Sequence, residues 1–176
     1  LLRQSIYSRL AGYEDVNDAE RLCVDPALRH VVGGRASQPD KQAASSSEIG
    51  RFETETLSTK RNLTALMNLS GRWIDNVHRR QPLKQLILDL DSSVSETYGR
   101  QQGTAYNGHF ECLCYHPLFL FNQHGDLEIA MLRRGNKASA KYWRNVLLPV
   151  IERYCHLSIP KFFRGDAAFA IPSLYR

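Results

Sequence analysis

No apolar run in the 176 residues approaches the roughly 20 that a membrane-spanning helix needs, so a helical span is excluded. The opening LLRQSIYSRL lacks the basic, then apolar, then small-residue order of a secretory leader, because Arg3 and Gln4 interrupt it. Cysteine is sparse at four residues, and Cys112 and Cys114 stand too close for an ordinary bridge within one strand. That argues against a disulfide scaffold and makes a reducing cytoplasm the expected compartment. No internal repeat and no low-complexity block is present. Acidic residues are in deficit, 18 against 23 Lys and Arg, which leaves a net charge of +5 and a pI near 9.1. Such a surplus suits a polyanionic partner without requiring one. A starting methionine is also missing, and the chain stops at SLYR soon after an aspartate-bearing strand signal, so it reads as a piece of a longer protein.

What is present belongs to the soluble globular class, with 43% hydrophobic and 23% charged residues. The length allows one ordinary core, or a small domain followed by a medium one. In residues 1–32, Leu2, Ile6 and Leu10, then Val16, Ala19, Leu22 and Cys23, recur at three- and four-residue steps. Two or three short helices with these residues on their apolar faces follow from that spacing. Asp25-Pro26 supplies an N-cap and a first-turn proline for the last of them, and Gly33-Gly34 stops it. Residues 35–47 read as a loop or the first half of a helix-turn-helix-like element. From residue 60 to about Arg80 one apolar stripe runs through Leu63, Leu66, Met67, Trp73, Ile74 and Val77, until Pro82 breaks it.

Beyond Pro82 the pattern changes to strands. LKQLILDLD, residues 115–122 and residues 126–133 are strand candidates, the last two joined by a turn at Gly125. ASAKYWRNVLLPVIERY then reads as a helix that Pro149 should kink, and residues 161–164 as a fourth strand ending in Gly165-Asp166. The expectation is a mixed α/β protein: a helical region over 1–80, serving DNA binding or assembly, and a β-β-β-α-β domain over 81–176.

Carboxylates mark two of the strand ends. Alternation puts Asp89 and Asp91 on one face with Ile87, opposite Leu86, Leu88 and Leu90. Two like charges on one strand face call for compensation, which a divalent cation supplies. Asp166 is distant in sequence, but parallel pairing of the first and fourth strands would bring it to Asp91. Three such carboxylates suit two-metal phosphoryl transfer. For Asp91 alone, a turn cap through Asp-Ser-Ser is the simpler reading.

The combination of LDLDSSVSETYG, GTAYNGHFECLCYHPLFLFNQHGDLEIAMLRRGN, the YWRNVLLPVIERY helix and FFRGDAAFA resembles bacterial insertion-sequence transposases of the DDE superfamily, specifically the thirteen-eighty group. The N-terminal residues and SSSEIGRFE resemble the helical N-terminal region of the same group, so the likeness spans nearly the whole chain. It implies an RNase H-like catalytic core that uses Mg²⁺ or Mn²⁺ to cut element ends and join them to target DNA; whether the enzyme works as a homo-oligomer stays open. By motif position Asp91 and Asp166 correspond to the first two catalytic carboxylates, with Asp89 a supporting metal ligand. The third, a glutamate, is expected beyond Arg176, so the chain alone is expected to cut little or no DNA. The alternative is a non-catalytic DNA-binding remnant of such an enzyme. Arg134, Arg100 and Ala167-Ala168 depart from the group's usual residues, and none of them is a metal ligand.

Other groupings carry less. His109, Cys112, Cys114 and His116 are zinc-ligand types, but their crowding into eight residues favours core thiols beside a hairpin. Asn107-Gly108 marks a tight turn, and Arg133, Arg134, Lys137, Lys141 and Arg144 form a basic cluster that is either a solvated face or a phosphate contact. Trp73, Tyr142 and Trp143 fit apolar helical stripes and are expected in the core.

Overall fold

In the computed structural model, which describes residues 1–33, 38, 40–99 and 101–175, the chain divides into two units, Leu1–Thr64 and Ala65–Arg176. The first is helical: α1 (Leu2–Leu10), α2 (Ala19–Leu22), α3 (Pro26–Val31) and α4 (Ser46–Arg51), the last running into a π-helical turn, Phe52–Leu57. Asp25 caps α3 as expected, its Oδ1 accepting from the Leu28 N–H at 2.7 Å. Ser45 and Glu48 close a capping box on α4. Of the 35–47 expectation, residues 35–37 and 39 lie outside the described residues, as do Gly34 and Arg100; residues 41–45 are non-helical.

The apolar face expected on α1 is reversed. Leu2, Ile6 and Leu10 are exposed, whereas Gln4, Ser5 and Ser8 are buried. Specific hydrogen bonds explain it: Gln4 donates to the Ala44 carbonyl at 2.7 Å and accepts from its N–H at 2.9 Å, as a neighbouring strand would. Ser5 donates to Glu53, which also pairs with Arg9. A buried polar group with its partners in place is tolerated, and here it outcompetes the apolar stripe. Ala19, Leu22 and Cys23 are buried as expected.

α5 (Lys60–Met67) and α6 (Leu69–Arg80) replace the single helix expected over 60–80, with the break at Asn68. α6 belongs to the second unit, not with the N-terminal helices. Gly71 permits this approach, because a Cβ there would meet Arg153 and the Glu128 carbonyl.

The second unit carries strands β1 (Leu86–Ser92), β2 (Ser95–Glu96), β3 (Ala105–Asn107), β4 (Cys112–Tyr115), β5 (Leu118–Asn122), β6 (Leu127–Met131) and β7 (Lys161–Gly165), with α7 (Trp143–Arg153) before the last. The main sheet has the order β6-β5-β1-β7. β1 pairs antiparallel with β5 and parallel with β7, the arrangement that the carboxylate argument required. Leu86, Leu88, Leu90, Leu118, Leu120 and Ile129 form a core with Trp143, Val146, Leu147 and Val150 of α7.

Three expectations change here. The strand over 115–122 is two strands: Pro117 has no N–H to donate, and the chain leaves a small sheet of order β2-β4-β3 to enter the main one. α7 starts at Trp143, because the carbonyls of Ala138, Ser139 and Lys141 are taken by Arg133 instead of by a preceding helical turn. Trp73 is 63% exposed and Tyr142, at φ +66°, is exposed too; Trp143 alone of the three is buried. Among the described residues no helix is long and apolar enough to cross a membrane.

Candidate active site

Alternation along β1 holds: Leu86, Leu88 and Leu90 are buried against α7, while Asp89 is half-buried and Asp91 exposed. Parallel pairing with β7 runs in register from Leu86–Lys161 to Leu90–Gly165. The ladder ends there, and Asp91 and Asp166 are the residues that follow its last pair on the two chains. Adjacent strands lie about 4.8 Å apart, so these carboxylates leave the sheet from neighbouring strand ends. Gly165 sits against Phe169, which is buried in the core and anchors the turn that follows Asp166.

Each of the two carboxylates spends one oxygen locally. Asp91 Oδ1 accepts from the N–H of Ser92 at 2.7 Å. Asp166 Oδ1 accepts from the N–H of Ala168 at 2.8 Å and so caps the short 3₁₀ turn Ala167–Phe169. The capping role considered for Asp91 therefore falls to Asp166. The second oxygen of each has no hydrogen bond or ion pair among the described residues, which leaves hard oxygen donors for a cation such as Mg²⁺. Asp89 differs: Arg164, its partner in the β1–β7 register, holds its Oδ2 at 2.8 Å. No group of three or more His, Cys, Asp or Glu stands together as a metal cage among the described residues.

A cleft of about 580 Å³ opens beside Asp166. Ser92, Ala168 and Asp166 line one side, and the β3–β4 turn with residues 136–139 lines the other. Asn107 fastens those two pieces together: its side-chain nitrogen donates to the Gly135 carbonyl, and its oxygen accepts from the N–H groups of His109 and Phe110. Buried His116 has Nδ1 2.7 Å from the Lys137 carbonyl, so Nδ1 carries the proton and Nε2 is the remaining ring nitrogen.

The family model Transposase DDE domain group 1 matches residues 1–176. The chain belongs to this family. Nothing matches among curated proteins, and nothing matches among solved structures. A transposase acts on DNA, and membership of the DDE family carries nuclease or recombinase chemistry, typically with a divalent metal, as its general expectation.

Within this DDE domain, several residues sit differently from what their sequence neighbourhood suggests. Arg133, one of the basic cluster, is buried, its Nε donating to the His116 carbonyl at 2.7 Å. Burial pulls its guanidinium pKa down. Arg134, Lys141 and Arg144 are exposed, Arg144 lying over the Trp143 ring. Glu128 is fully buried, joined to Asn122, Tyr154 and Arg153. A bulge between β5 and β6 makes Glu128 and Ile129 consecutive buried residues, which defeats a period-two reading. Cys114 is buried in the small sheet and its thiol pKa is raised by that burial; Cys112 is half-buried.

Proposed function

We propose that the protein is a DNA transposase of insertion-sequence type, in which an RNase H-like core cleaves element ends and transfers them to target DNA. The observation that carries this reading is the parallel β1–β7 pair, whose register brings Asp91 and Asp166 to neighbouring strand ends. The sheet order β6-β5-β1-β7, with α7 crossing before β7, supports the RNase H-like assignment. Membership of a transposase DDE family supports the substrate.

Asp91 and Asp166 would hold the metal, through the oxygens that local hydrogen bonds leave open. When bound, Mg²⁺ or Mn²⁺ supplies activation of a water or 3′-hydroxyl and charge neutralisation at the leaving oxygen. The chain's own part is positional. The β-ladder fixes the spacing of the two carboxylates, Phe169 anchors the turn that carries Asp166, and the Ser92 and Ala168 N–H groups orient one oxygen of each. Asp89 remains a supporting ligand only where Arg164 releases it.

Isothermal titration of Mn²⁺ into the protein tests the assignment. Binding should be lost in Asp91→Asn and in Asp166→Asn. Unchanged binding in both variants would refute the site.

A further inference from the structure

The cleft beside Asp166 has the chemistry of a phosphate site. Its lining residues include Lys137, Asn136, His109, His116 and Tyr106, and Asp166 is its one acidic residue. Behind the wall lies a second positive charge. Arg133 is 4% exposed, and its guanidinium reaches the carbonyls of His116, Ala138, Ser139 and Lys141, four backbone oxygens of the segments that build the cleft. Its remaining nitrogen is buried without a hydrogen-bond partner, and no carboxylate pairs with it among the described residues. An arginine stays protonated even where burial lowers its pKa, and this one is compensated by carbonyl dipoles alone, so its charge favours an anion in the neighbouring cleft. The complementary ligand is an anion.

Resting on the transposase reading above, we propose that this cleft holds a backbone phosphate of the DNA strand that runs up to Asp166, with Lys137 as the contacting charge and Arg133 as the positioning residue behind the wall. His109 and His116 lie on the lining and report occupancy. Phe110 packs edge-on against both rings, at 4.8 Å from His109 and 5.7 Å from His116, so the two histidines share one rigid wall.

The experiment is a salt series of fluorescence-anisotropy titrations with a labelled oligonucleotide, using the full chain, Lys137→Ala and Lys141→Ala. Lys141 is an exposed lysine near the same segment but outside the lining, and serves as the control. Loss of one phosphate contact lowers the slope of log affinity against log salt by about 0.7 to 0.9. Lys137→Ala should show that drop and Lys141→Ala should not. In parallel, the histidine-ring NMR signals of His109 and His116 should shift on adding unlabelled oligonucleotide. DNA binding with an unchanged slope in Lys137→Ala and unmoved histidine signals would overturn the cleft proposal and leave the transposase reading standing. Ring shifts with inorganic phosphate but none with oligonucleotide would overturn the DNA assignment of the cleft. Failure of the chain to bind DNA at any salt would count against both.

Discussion

Arg164 and Asp89 form an ion pair at 2.8 Å across the parallel β1–β7 ladder, with Arg164 one residue before Gly165 and two before Asp166. Both side chains keep much of their exposure, 61% and 40%, so the pair adds little to stability, about 0–1 kcal/mol. Its weight is electrostatic. A unit charge and a divalent cation about 8 Å apart in water repel by about 1 kcal/mol, roughly fivefold in affinity. Arg164→Ala should therefore tighten Mn²⁺ binding, and Asp89→Asn should weaken it. The double variant separates field from ligation: if Asp89 touches no metal, calorimetry on Asp89→Asn/Arg164→Ala should return an affinity near that of the unmodified chain.

Gly135 is the point where the small sheet meets the segment after β6. A Cβ there would overlap the carbonyls of Ala105 and Cys114 and the Cys114 sulfur, with no flexible atom to yield at the first two. Gly135→Ala should push β3 and β4 away from this segment. Cys114, buried in the native protein, should then react with a thiol-alkylating reagent at a rate approaching that of exposed Cys155. Peptide mapping of the alkylated protein gives the answer.

How much of this was legible beforehand follows a physical divide. Alternation along β1, the glycine turn at Gly125 and the cap at Asp25 are local, and they appear in the structure as the residues alone suggested. Even the parallel pairing behind the Asp91–Asp166 juxtaposition followed from strand order and the resemblance together. What escaped depends on long-range polar partners. Arg133 looks like any exposed arginine until its four carbonyl acceptors are assembled, and Gln4 looks like a solvent-facing position until Ala44 pairs with it. The small sheet was missed for a related reason: its strands are two to four residues long and its central one carries two cysteines, too short for a periodic signal.

Glu128 tests the cost of a buried charge in this unit. It is fully buried between α6, α7 and the β5–β6 hairpin, accepting from Asn122 at 3.0 Å and from the Tyr154 hydroxyl at 2.9 Å, with Arg153 as its ion-pair partner. Glu128→Ala removes the carboxylate acceptor of the Tyr154 hydroxyl and leaves Arg153 with Asp75, at 2.9 Å, as its remaining carboxylate partner. The expected loss is about 2–3 kcal/mol, below the roughly 3–5 kcal/mol of a buried pair broken with no second partner. Glu128→Gln keeps an acceptor for Tyr154 and should lose less. Urea denaturation followed by near-UV circular dichroism orders the two.

His78 makes the same network sensitive to acid. The Tyr154 hydroxyl donates to Glu128, so the contact of 3.0 Å to His78 Nδ1 has the imidazole donating to the tyrosine oxygen, which leaves Nε2 unprotonated in the neutral ring. Burial pushes the His78 pKa below its usual value, and positive charge on His124 adds to that; Asp126 and Asp75 pull the other way, and Arg153 depresses it further. A histidine whose folded pKa is depressed favours the folded state while neutral. Its contribution is complete above the unfolded value near 6.5 and is lost as pH falls through the lower folded value. The thermal midpoint of the unmodified chain should therefore decline as pH falls below about 6.5 toward 5, part of that decline belonging to this ring. His78→Gln retains a side-chain donor for the Tyr154 oxygen but cannot titrate. Its midpoint should fall less over the same window, and parallel pH profiles for the two proteins would remove His78 from the acid response.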